Sequence, residues 1–165
     1  IRDRGELPEW ARGRDPIPTQ LQLASASASG RTPDYILIFD GGSKGNPGPG
    51  YGSYAITRVQ DGAQRLERLN LGDGYTSNEA EYDTLIAALQ DLLRRIEEAG
   101  RESRDFALEI RGDSALVINQ LQGKWKAKEP RMRARRDQCA RLLRRFGSVD
   151  LKAQPREESV RVLGH

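Results

Sequence analysis

Three acidic residues of this chain stand at the boundaries of structural elements instead of on solvated faces. Asp40 closes the apolar run Tyr35-Ile36-Leu37-Ile38-Phe39 and opens the glycine-rich stretch Asp40-Gly41-Gly42-Ser43-Lys44-Gly45-Asn46-Pro47-Gly48. Glu81 lies in Thr76-Ser77-Asn78-Glu79-Ala80-Glu81-Tyr82, and Asp113 follows the alternating residues Phe106, Leu108 and Ile110. Carboxylates held together repel one another and raise each other's pKa unless a cation neutralises them. Magnesium suits such a set, because it takes oxygen ligands at ~2.0–2.1 Å and keeps waters for a phosphate substrate. Two such ions ~3.5–4 Å apart can clamp an in-line phosphodiester displacement. Each residue also has a plainer reading: Asp113 as a helix cap, Glu81 as a partner of the helix dipole, Asp40 as a turn former. Each plain reading alone weighs about as much as function; the conjunction favours a cation site.

The elements that must position these residues follow from periodicity and punctuation. Tyr35–Phe39 reads as a buried strand ending at Asp40, Tyr51–Val59 as a second, and Asp61-Gly62 as a hairpin turn into a third over about 64–71. A helix is expected over 78–99, with Leu85, Leu89, Leu92, Leu93 and Ile96 at helical spacing, Gly100 as its stop, and a Thr76/Glu79 capping box at its start. A fourth strand runs into Arg111-Gly112-Asp113; a short helix starts at Ser114, with Asp113 as its possible cap. Pro130 opens a basic amphipathic helix with Met132, Cys139, Leu142, Leu143 and Phe146 as its apolar stripe. Val149 and Leu151 alternate in a fifth strand, and Pro155–His165 reads as a last helix. This is an α/β fold: a five-stranded mixed sheet in βββαβαβα order flanked by helices, with function expected at strand ends. If the first and fourth strands are parallel neighbours, Asp40 and Asp113 lie side by side, and the long helix supplies Glu81 from beside them.

Length and composition limit the alternatives. At 165 residues the chain suits one domain, 34–165, behind an extension over 1–33 that carries the low-complexity run Ala24-Ser25-Ala26-Ser27-Ala28-Ser29-Gly30. No apolar run approaches the ~20 residues of a membrane helix. The chain starts on Ile1 without a leader pattern, as expected of a processed piece. A single cysteine, Cys139, excludes an internal disulfide, and with one histidine it argues against structural zinc; a cytoplasmic monomer is expected. Net charge is only +3, but Lys124 to Arg145 holds ten basic residues against two acidic ones, a polyanion footprint or a solvated helix face.

The Asp40–Gly48 and Thr76–Tyr82 motifs, followed by Gly112-Asp113-Ser114, resemble type 1 ribonuclease H over about residues 35–156. The first two motifs are specific together. The chain looks like the short branch of that family without the basic handle helix, since Gln120-Leu121-Gln122-Gly123 leads directly to Trp125. The resemblance implies an endonuclease that cuts the RNA strand of RNA–DNA hybrids with two magnesium ions, manganese being an alternative. It makes Asp40, Glu81 and Asp113 the metal ligands. It places Asn46, Ser77, Asn78 and the backbone of Gly41 and Gly42 on the RNA strand, whose 2′-hydroxyl tells RNA from DNA. Thr76 matches a DNA-phosphate contact, and Trp125 an aromatic of the DNA-strand channel or else a core residue.

The resemblance falters at the end of the chain. The family's last helix carries a fourth carboxylate in a pattern close to Arg-Glu-x-Asn-x-x-Ala-Asp; here Ser159 stands near the asparagine position and Leu163 at the aspartate. His165 is the nearest substitute, as a ligand or proton donor, if the helix ends after Leu163, which Gly164 permits. The competing reading of His165 is an unstructured chain end. Arg156 stands where some members carry a catalytic histidine, and there it would meet phosphate. Two other functions remain: a nucleic-acid-binding module that has lost cleavage, or the nuclease domain of a larger polymerase or transposition protein.

Overall fold

The run Tyr35–Phe39 becomes the middle of a sheet because it is apolar on both sides and must be covered on both faces. The computed structural model describes residues 31–164 and orders the strands β3-β2-β1-β4-β5. They are β1 Tyr35–Ser43, β2 Gly48–Arg58, β3 Gln64–Tyr75, β4 Ala107–Gly112 and β5 Ser148–Ala153. β1, β2 and β3 pair antiparallel, whereas β1–β4 and β4–β5 are parallel. The helices are α1 Ser77–Glu98, α2 Ala115–Leu121, α3 Pro130–Leu143 and α4 Arg156–Leu163, so α2 and α3 both lie in the crossover from β4 to β5. Among the described residues no helix is long and apolar enough to cross a membrane.

One face of the sheet presents Tyr35, Leu37, Phe39, Tyr54, Ile56, Leu108, Ile110, Val149 and Leu151 to α1, α2 and α3. Leu85, Leu89, Leu92, Leu93 and Ile96 of α1 are buried there, as their spacing requires. The other face carries a smaller cluster, in which Leu163 and Val162 of α4 cover Ile36, Ile38 and Ala55.

The first three strands are longer than their apolar patterns suggest, and the extra length of β1 and β2 builds the site. β1 does not stop at Phe39. Its parallel pairing with β4 ends at Phe39↔Gly112, but its antiparallel pairing with β2 continues through Asp40↔Ser53, Gly41↔Gly52, Gly42↔Tyr51 and Ser43↔Gly50. The glycine-rich stretch is therefore sheet up to Ser43. A Cβ on Gly41 would lie 2.7 Å from the Ala80 carbonyl oxygen, and one on its partner Gly52 would overlap Thr84. That bare glycine pair lets the first turns of α1 rest directly on the sheet backbone, which brings Glu81 down to the level of Asp40.

Candidate active site

Asp40 lies one residue beyond the last β1–β4 pair, and Asp113 is the corresponding next residue after β4. Glu81 enters from the second turn of α1. Each residue offers one carboxylate oxygen, and those oxygens lie within 4.8 Å of one another, the juxtaposition expected from the strand order. Asp40 is 3% exposed, and Glu81 and Asp113 are partly buried. Burial pushes the Glu81 carboxyl up to about 7; the Asp113 and Asp40 charges push the same way, against a hydrogen bond from Ser114 and the charge of Arg156. A partly buried, all-oxygen donor set of like charges fits a hard divalent cation.

The plainer readings of the three residues are met by their neighbours. Ser114, not Asp113, caps α2, its hydroxyl accepting the Val117 N–H at 3.2 Å. Asp40 sits in a paired strand and forms no turn. The capping box of α1 is made by Thr76 and Glu79, whose carboxylate accepts the Thr76 N–H at 2.9 Å while the Thr76 hydroxyl accepts the Glu79 N–H at 3.2 Å.

Much of the basic charge of α3 is already paired within the protein. Arg131 pairs with the buried Glu79 at 2.6 Å, and Arg135 with Asp83 at 2.9 Å; Tyr75 donates to the same Asp83 at 2.7 Å. Arg133 donates to the carbonyls of Ala127 and Lys128, and Arg136 pairs with Asp137. Lys124, Lys126 and Lys128 remain exposed around Trp125, which is 48% exposed and so is not a core tryptophan.

Asn46, Thr76, Ser77 and Asn78 gather on one cleft of about 340 Å³, which Gln120, Lys128 and Met132 also line. Asn46 accepts the Ser77 N–H at 3.1 Å, tying the β1–β2 connection to the start of α1. Gln120 escaped the sequence reading, because a glutamine inside an apolar helical pattern carries no signal of its own. It is held by Tyr82, whose hydroxyl donates to it at 2.6 Å. Gly41 and Gly42 lie on the strand between Asp40 and that connection.

The comparisons with known proteins agree with this geometry. Residues 38–162 match the family described as reverse transcriptase-like. Ribonuclease HI of Halobacterium salinarum is 36% identical over 123 residues, covering 74% of this chain and 57% of the relative. The bifunctional protein Rv2228c of Mycobacterium tuberculosis is 34% identical over 122 residues, covering 73% of this chain and 31% of the relative. The crystal structure of the Halobacterium salinarum RNase H1 superposes with a TM-score of 0.66 at 34% identity, covering 77% of this chain and 89% of that one. The chain belongs to the type 1 ribonuclease H family. A further member, LC11-RNase H1 in complex with an RNA/DNA hybrid, gives a TM-score of 0.67 at 32% identity over 77% of this chain and 89% of that one. The chain spans about a third to just over half the length of the curated relatives it matches.

Against the type 1 ribonuclease H pattern, the last helix is where this chain differs. Leu163, at the position of the fourth acid, is fully buried against Ile38 and Ala55. Ser159 is buried as well and accepts a hydrogen bond from Gln154 at 3.0 Å. α4 ends after Leu163, with Gly164 left-handed at φ 81° and its N–H bonded to the Val160 carbonyl. His165 and residues 1–30 of the expected 1–33 extension lie outside the described residues. The acidic cluster of the described residues is thus Asp40, Glu81 and Asp113.

Proposed function

We propose that this chain is an endonuclease that hydrolyses the RNA strand of RNA–DNA hybrids, with Asp40, Glu81 and Asp113 holding two magnesium ions, manganese substituting. The observation that carries the proposal is the meeting of three carboxylates from β1, α1 and the end of β4 within 4.8 Å. A bound divalent pair would supply an activated water and stabilise the leaving oxygen. The chain's own residues do the rest. Asn46, Ser77, Asn78 and the backbone at Gly41 and Gly42 contact the RNA strand, and the 2′-hydroxyl selects it. Thr76 and Trp125 hold the DNA strand, with Lys124, Lys126 and Lys128 supplying phosphate neutralisation. Gln120 and Lys128 extend the same cleft. Arg156, beside the acidic cluster, meets the phosphate to be cut.

A hybrid labelled separately on each strand tests this: with magnesium the RNA strand is cut internally and the DNA strand is not. Binding without cleavage in magnesium and manganese alike would replace the proposal by a second reading, a hybrid-binding module. The buried Leu163 at the fourth acidic position is the observation that favours that reading.

A further inference from the structure

Arg156 is mounted rigidly at its backbone and loosely at its tip. The Gln154 N–H bonds the Gly112 carbonyl at 2.9 Å, so the β5–α4 connection is tied to the end of β4 one residue before Asp113. Gln154 also reaches the buried Ser159 hydroxyl, which fixes the first turn of α4. From this mount one terminal nitrogen of Arg156 lies 3.3 Å from Asp113 Oδ2 and 3.6 Å from Asp40 Oδ1. A single guanidinium nitrogen thus bridges two of the three carboxylates. The Asp40 side chain is 4% exposed, but that of Arg156 is 64% exposed.

We propose that Arg156 is a resident counter-ion, which neutralises Asp40 and Asp113 in the metal-free protein and competes with the divalent cation for them. Once displaced, it is released toward the substrate phosphate. This inference rests on the reading of the three carboxylates as metal ligands. The guanidinium itself is largely solvated, so water screens its attraction and the long side chain regains freedom on leaving; the more buried carboxylates pass to the incoming cation, so the exchange costs little. The freed guanidinium keeps a fork of donors that matches a phosphate bidentately. Its fixed mount at the end of β4 keeps that fork at the mouth of the site. The charge that weakens the cation's hold on the empty site therefore strengthens the hold on substrate in the filled one.

Manganese binding, measured by titration calorimetry without nucleic acid at fixed ionic strength, tests the first half on the wild type, Arg156→Gln, Arg156→Lys and Asp40→Asn. Arg156→Gln should lower the manganese Kd about threefold to tenfold, the span of one or two exposed ion-pair contacts. Arg156→Lys, which keeps the charge, should stay near wild type. An unchanged or weaker affinity in Arg156→Gln overturns the counter-ion role. If Asp40→Asn binds manganese as the wild type does, it is the metal-site reading that fails. Hybrid binding in calcium tests the second half: Arg156→Gln should weaken it and reduce the salt slope by about one. Tighter manganese binding with unchanged hybrid affinity and slope overturns the release to phosphate.

Discussion

The first two turns of α1 carry two sets of carboxylates that meet opposite fates. Glu79 and Asp83 are four residues apart and share a face; Glu81, between them, points ~200° away from Glu79. The shared face meets α3, where Arg131 and Arg135, also four apart, pair with both acids, and Tyr75 adds a hydrogen bond. Glu79 is 1% exposed, yet the protein supplies its counter-charges and its capping partner. Glu81 faces Asp40 and Asp113 instead. There burial and the two like charges push its carboxyl up to about 7, and Arg156, 64% exposed, bridges the two aspartates. One set draws its counter-charges from α3. The other is the set proposed to take a cation from outside.

Neutralising Asp40, as Asp40→Asn, should have the largest effect. Because it removes a proposed ligand itself, RNA-strand cleavage should fall by more than about a hundredfold, the scale set by losing groups that only support a ligand. Thermal stability in chelator should hold or rise, since a repelling charge is removed. Glu79→Ala should do the reverse. It should cost about 1–2 kcal/mol in denaturant unfolding through loss of the cap and of a buried pair's shared acid, while manganese still binds at the intact triad. Equal effects of the two substitutions on metal binding would erase the distinction between the clusters.

The two sets also differ in their response to pH. Burial, with the charges of Asp113 and Asp40, pushes the Glu81 carboxyl up to about 7 in the metal-free fold, against an ordinary value of 4.5. Between those values the folded state holds a proton that the unfolded state has released, so stability falls as pH rises through the window. In chelator, melting temperatures between pH 4.5 and 7 should show this decline, and Glu81→Gln should remove it. Magnesium binding should tighten with pH up to about 7 and then level off, because binding displaces that proton. The smallest effect belongs to the half-exposed Arg136–Asp137 pair on the outside of α3; Arg136→Ala should change stability by less than about 0.5 kcal/mol and leave cleavage unchanged.

The triad was legible in the sequence because each member is marked by punctuation: an apolar run before Asp40, a capping box before Glu81, an alternating run before Asp113. The Thr76 and Glu79 pairing, the ends of α1 and the start of α3 were legible for the same reason, but α3 ends at Leu143, so Phe146 of the expected stripe packs from beyond the helix. The length of β1 was not. Glycine reads as a loop former, and only the register Gly41↔Gly52 under Ala80 and Thr84 shows that these glycines admit a helix. Nor did counting charge between Lys124 and Arg145 reveal which arginines pair with acids of α1, because a count names no partners. The matching four-residue spacings of Glu79/Asp83 and Arg131/Arg135 held that information, but only once α1 and α3 are known to be neighbours. Gln120 carried no mark at all. The Leu163 substitution was visible as a residue type, whereas its burial against Ile38 and Ala55 is a property of packing.

The most direct test sets the two acids of α1 side by side on a strand-labelled RNA–DNA hybrid with magnesium. Wild type and Glu79→Gln should both cut the RNA strand, and Glu81→Gln should leave it intact. Cleavage retained by Glu81→Gln, or lost as completely in Glu79→Gln, would contradict the assignment of the Asp40, Glu81 and Asp113 cluster as the active site.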